Sequence, residues 1–149
     1  MNLFDRISAD IKAAMLAKDK IRLEALRGVK KEFIEAKTAK DSDGELSDEK
    51  AIAILQKMVK QRRESAGIYS TQGRSDLAES ELKEVSVLEA YLPKQLTPEE
   101  LEARLKEIIA ATGATSPADM GKIMGIATKQ LAGVAAGKAI SDTVRKLLN

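Results

Sequence analysis

Ser47-Asp48-Glu49-Lys50-Ala51-Ile52-Ala53-Ile54-Leu55-Gln56-Lys57-Met58-Val59 opens with a hydroxyl that can cap a helix and two carboxylates that suit a helix N-terminus. It then sets Ile52, Leu55, Met58 and Val59 on one face, a face that Arg62 extends. A spacing of three and four residues fits a helix and cannot place the same side chains on one face of a strand. This helix is expected to run to about Gln72, where Gly73 stops it. Upstream, Leu3, Ile7, Ile11, Ala14 and Met15, then Leu23, Leu26, Val29, Phe33 and Ile34, repeat the period and predict helices over about 3–18 and 20–39. Lys18-Asp19-Lys20 between them is short enough for either an antiparallel pair or one bent helix. The polar stretch Lys40-Asp41-Ser42-Asp43-Gly44-Glu45 separates them from the helix after Ser47. Downstream, Asp76 with Glu79 three residues on reads as a capping box, and Leu82, Val85, Leu88, Tyr91 and Leu92 mark a helix that ends before Pro93.

Thr97-Pro98-Glu99-Glu100 is a second strong opening, with a capping hydroxyl, proline in the first helical position and glutamate in the third. Pro93-Lys94-Gln95-Leu96 before it reads as a linker, which puts a domain boundary at residue 93. Leu101, Leu105, Ile108 and Ile109 form the stripe of the next helix, ended by Gly113. Ser116-Pro117-Ala118-Asp119 repeats the opening chemistry for a helix through Ile123, Met124, Ala127 and Leu131, and Val144, Leu147 and Leu148 mark a last one. The expected fold is all-α, with an N-terminal helical bundle or hairpin domain over 1–92 and a small three-helix domain over 93–149.

Composition narrows the chemistry. The 149 residues contain neither Cys nor His, so thiol nucleophiles, thiolate metal sites and imidazole acid–base catalysis are absent. Aromatics make up 3% with no Trp, which leaves the core to aliphatic side chains. No stretch approaches the roughly 18 apolar residues of a membrane span, and the N-terminus lacks a basic segment followed by an apolar run. A cytoplasmic location with no membrane partner is the resulting expectation. Glu79, Glu81 and Glu84, like Glu99, Glu100 and Glu102, read as solvated faces and helix-start charges instead of a catalytic pair. Tyr69 and Tyr91 read as rings packed at a domain edge. No catalytic residue, metal ligand or cofactor is expected.

Charge points to a binding surface. Lys57, Lys60, Arg62 and Arg63 bring four cations into two helical turns, a density that can engage phosphates or simply be solvated. Gly121-Lys122-Ile123-Met124-Gly125, with Gly133, Gly137 and Lys138, lacks the spacing and the Lys-Ser/Thr ending of a phosphate-binding loop. Two glycines within one short helix suggest close packing or close approach of a ligand. From Ser116 onward, Lys122, Lys129, Lys138, Arg145 and Lys146 face only Asp119 and Asp142, whereas residues 1–92 carry 17 charges of each sign.

Lys60-Gln61-Arg62-Arg63-Glu64-Ser65, Tyr69, Gly73-Arg74, Asp76-Leu77-Ala78, Glu81, Tyr91-Leu92-Pro93 and Asp119-Met120-Gly121-Lys122 with Met124 resemble the YqeY family of small bacterial proteins, in order and spacing over nearly the whole chain. The resemblance implies a second domain similar to the C-terminal tail of GatB, a component of the glutamyl/aspartyl-tRNA amidotransferase, in which that tail helps hold tRNA. It further implies a tRNA-binding or amidotransferase-related accessory role, with tRNA, a tRNA-linked enzyme or another protein as partner. The family label of carbon–nitrogen ligase with glutamine as amido-N donor then describes a complex and not an autonomous activity. On that expectation the nucleic-acid contacts are Lys60, Arg62, Arg63, Gly121, Lys122, Lys129, Gly133, Gly137 and Lys138. Val134-Ala135-Ala136 departs from the basic and acidic residues of relatives after the equivalent of Gly133. The alternative expectation is a protein–protein adaptor docking through Ile123, Met124 and Ile126 of the small domain.

Overall fold

A computed structural model describes residues 1–149 as seven α-helices and no strand. They fall into two compact units, Met1–Leu92 and Pro93–Asn149. In the first, α1 (Leu3–Ala17), α2 (Lys20–Lys37), α3 (Asp48–Thr71) and α4 (Ser75–Glu89) pack together. In the second, α5 (Pro98–Thr112) is followed by a 3-10 turn at Pro117–Asp119, then α6 (Met120–Gln130) and α7 (Gly137–Leu148).

The helix starts follow from side-chain chemistry. Asn2, Asp19 and Ser47 each accept a hydrogen bond from a backbone N–H three residues on, at Asp5, Arg22 and Lys50. Thr97 and Glu100 complete a reciprocal capping box with Pro98 in the first helical position. Asp48 does more than favour its own helix start. Its Oδ1 accepts the Leu3 N–H at 2.9 Å, which ties the beginning of α3 to the beginning of α1.

The α1–α2 break is a true turn and not a bend. Lys18 adopts the left-handed conformation (φ 57°), and its N–H reaches back to the Ala14 and Met15 carbonyls. Two other openings differ from expectation. The helix α4 begins at Ser75 with no side-chain cap, because Asp76 is already engaged by Arg74, whose Nε and Nη2 both lie 3.2 Å from its carboxylate oxygens. That guanidinium also holds the Asp76 carboxyl below the usual range, ahead of the backbone N–H contribution. Ser116 makes no cap either; Pro117–Asp119 form the 3-10 turn, and Asp119 Oδ2 instead accepts the Thr115 N–H at 3.2 Å.

Each unit has its own core. Ile7, Leu26, Val29, Phe33, Leu55 and Leu88 are fully buried in the first, with Leu46 sealing the end of the α2–α3 loop. Leu105, Ile123, Ala127, Leu131, Ile140 and Val144 fill the second. The expected linker is only partly a linker. Leu96 packs on the second core and donates its N–H to the Val134 carbonyl at 2.9 Å, while Gln95 Nε2 reaches the Gly133 carbonyl at 2.7 Å.

Candidate functional site

Beyond Val59 of α3 and before Val85 of α4, no side chain joins the main core of the first unit. Residues 60–84 therefore form a two-helix arm, closed on itself by the small buried side chains Ala66 and Ala78. Alanines at a helix contact let the backbones approach, but they bury little apolar area. The pairing is reinforced by ions. Arg62 donates through Nη1 to Glu84 and, at 3.3 Å, to Glu81, both on α4. Arg63 donates to Glu89.

Arg62 also reaches α2. Its Nη2 lies 3.7 Å from where a Cβ on Gly28 would stand, an ordinary van der Waals distance that places the guanidinium against α2. Burial raises the Glu84 carboxyl above the usual range; Arg62 opposes the shift, and Glu81 and Glu24 reinforce it. One half-buried guanidinium thus faces two carboxylates of α4 while lying against α2. It serves the internal contact and is not free to meet a phosphate.

A second polar cluster closes the base of the first unit. The Tyr91 hydroxyl donates to Asp10 Oδ2 at 2.5 Å and accepts from Arg22 Nη2 at 3.1 Å, while Arg22 and Asp10 lie 3.6 Å apart. The Arg6 guanidinium sits over the same ring, 4.8 Å from its centroid. Burial first, and the bond to Asp10 second, push the Tyr91 phenol up to about 12. A ring packed at the domain edge agrees with the sequence reading of Tyr91. Its clasp on Arg6, Asp10 and Arg22 has no local sequence signature, because the hydrogen-bonded partners lie 69 and 81 residues away along the chain.

The expected nucleic-acid residues are divided between the units. Lys60 is exposed on the arm, beside the ion-paired Arg62 and Arg63. The other six lie in the second unit. Lys122 and Lys129 are exposed and seven residues apart on α6, two turns along one face. Lys138 is exposed in the first turn of α7, beside Gly137, and Gly133 takes a left-handed conformation (φ 81°) in the loop before it. A Cβ added at Gly121 or Gly125 would meet nothing within 4 Å, so close packing inside the chain does not account for these helical glycines. Ile123 is fully buried, and Met124 and Ile126 pack against the same core. Of the three apolar residues expected to dock a partner from the small domain, Ile123 is taken up by its own core, and Met124 and Ile126 keep part of their surface outside it.

Comparison with known proteins corrects the functional expectations. The protein is 32% identical over 114 residues to "Altered inheritance of mitochondria protein 41, mitochondrial" of Kluyveromyces lactis, covering 74% of this chain and 60% of that protein. The protein of the same name from Meyerozyma guilliermondii is 37% identical over 87 residues, 58% of this chain and 44% of the relative. The chain thus spans about 60% or less of the length of these relatives. Both relatives are named for mitochondrial inheritance and both are fungal. Those names overturn the tRNA-linked, amidotransferase-related reading and, with it, the expectation of a bacterial, cytoplasmic protein. The lineage part of the expectation stands, because the family model described as Yqey-like protein matches residues 4–148. Nearly the whole chain is covered, and the protein belongs to the YqeY family.

Proposed function

We propose that this chain acts by binding a protein partner through the arm formed by the second half of α3 and the first half of α4, in the upkeep of the compartment for which its relatives are named. The observation that carries the reading is where the family-bearing residues fall. Lys60-Gln61-Arg62-Arg63-Glu64-Ser65, Tyr69, Gly73-Arg74, Asp76-Leu77-Ala78 and Glu81 belong to the arm, a part of the fold that the core of the first unit does not need, and only Tyr91-Leu92-Pro93 and Asp119-Met120-Gly121-Lys122 with Met124 fall elsewhere.

The arm's chemistry supports a binding role. Ile68 is 57% and Leu82 47% exposed on helices already joined by Ala66, Ala78 and the Arg62 pairs. Glu64, Gly67, Ile68, Thr71 and Gln72 line a shallow groove on α3, and a Cβ at Gly67 would meet nothing within 4 Å. Such a face admits close approach of a partner's backbone and offers one large apolar anchor. Stiffness secured by internal ion pairs lowers the ordering cost of association. The mitochondrial setting of the relatives is carried to this chain as part of the proposal.

The test is affinity capture from cells with wild type and with an Ile68→Asp/Leu82→Asp variant. Both positions are exposed, so stability should shift by about 0.5 kcal/mol or less each. A protein retained by wild type and lost from the variant, with unchanged melting, is the expected result. Equal capture by both would remove the arm from the interaction.

A further inference from the structure

The α1–α2 turn carries a second surface, independent of the arm. Within seven residues of chain, Leu16 is 86%, Met15 51% and Ile21 46% exposed, three of the seven large apolar side chains that stand exposed in the molecule. Around them stand Lys12, Lys18 and Lys20, all exposed and none in an ion pair. Lys12 precedes Met15 by three residues and Leu16 by four, so its stem runs beside both on the helix surface. The one acid of the turn, Asp19, is also exposed, and its carboxylate caps α2 by accepting the Arg22 N–H at 3.1 Å. Apolar tips flanked by three lysines and one acid, a net positive surround with no ion pair to the lysines, therefore stand at a two-residue turn between two helix ends.

We propose that this tip inserts reversibly into the interface of a lipid bilayer bearing anionic headgroups. The choice of occupant follows from shape and charge. Exposed apolar tips beside lysines at a helix–helix turn match a planar surface with negative charge above an apolar layer in both features at once. Leu16, Met15 and Ile21 enter the acyl boundary, and the lysine stems reach back to the phosphates. Lys18 adds a separate argument. It occupies a left-handed position (φ 57°), where glycine would cost less, so the cation is kept at the tip against a local conformational penalty. No helix is long and apolar enough to cross a membrane, and the expectation of no membrane partner rested on the lack of such a span and of a basic segment followed by an apolar run at the N-terminus. Peripheral insertion does not require a span.

Flotation of the full chain with vesicles decides the matter, using phosphatidylcholine alone or phosphatidylcholine mixed with phosphatidylglycerol. Wild type is expected to float with the mixed vesicles at low salt, less so as salt rises, and weakly with phosphatidylcholine. Leu16→Asp should lower the bound fraction at least about tenfold by exchanging an inserted side chain for a repelled one. Lys18→Gly should lower it about fivefold, as the loss of one cation near the surface implies, while melting temperature stays equal or rises. That divergence separates a binding role from a structural one. No flotation of wild type with anionic vesicles, variants that float like wild type, or a protein captured through Leu16 in the absence of vesicle binding would each overturn the proposal.

Discussion

Tyr91 illustrates how one side chain can join parts of the chain that have no local relation. Its hydroxyl links Asp10 of α1 to Arg22 of α2, and its ring supports Arg6. Tyr91→Phe keeps the ring and removes the bonds, leaving Asp10 and Arg22 half-exposed and able to find water. The expected cost is about 1–2 kcal/mol, read as a lower denaturant midpoint with unchanged slope. The same residue predicts an alkaline response. Its folded value, about 12, lies above the ordinary value of 10.0, so the fold favours the neutral phenol. That contribution is complete below pH 10 and is lost as pH rises toward 12. Wild type should therefore lose stability over that window, and Tyr91→Phe should lose less. Equal alkaline losses would mean that other groups control the transition.

The elements show where sequence reasoning succeeds and where it stops. The starts of α1, α2, α3 and α5 are set by side chains within three residues of the backbone groups they satisfy, so they can be read locally, as Ser47 and Thr97 were. The start of α4 escaped because Arg74 competes for Asp76, and local pattern does not rank the two outcomes. The role of Arg62 escaped for a stronger reason. A run of cations looks like a phosphate site until the carboxylates of another helix are folded against it. Arg62→Ala should accordingly destabilise the arm by about 2 kcal/mol, since Glu81, Glu84 and Glu24 would be left facing one another. Glu84→Gln should cost under about 1 kcal/mol at neutral pH, because desolvation already disfavours its charged form. Chemical denaturation of both variants checks the asymmetry, and equal losses would contradict it.

At the scale of the molecule, the two cores make separate folding a quantitative matter. Leu96 and Gln95 bind the second unit, so a fragment from Pro93 to Asn149 should melt cooperatively and exceed a fragment starting at Thr97 by about 1–3 kcal/mol. Equal stability of the two would show that residues 93–96 act only as a tether. The all-helical class was legible throughout, since periodicity and caps agree along the chain. Function was not, because charge patterns and lineage named a ligand class that the relatives' names do not share, whereas many of the residues carrying the resemblance, from Lys60 to Glu81, lie on an arm outside the core. The central claim, that this arm is a protein-binding face, is met most directly by placing a photo-crosslinking side chain at position 68 in cells, with position 106 on the exposed face of α5 as control. A discrete protein adduct from 68 and none in common from 106 is the predicted result; no adduct from 68, or the same adducts from both, would contradict it.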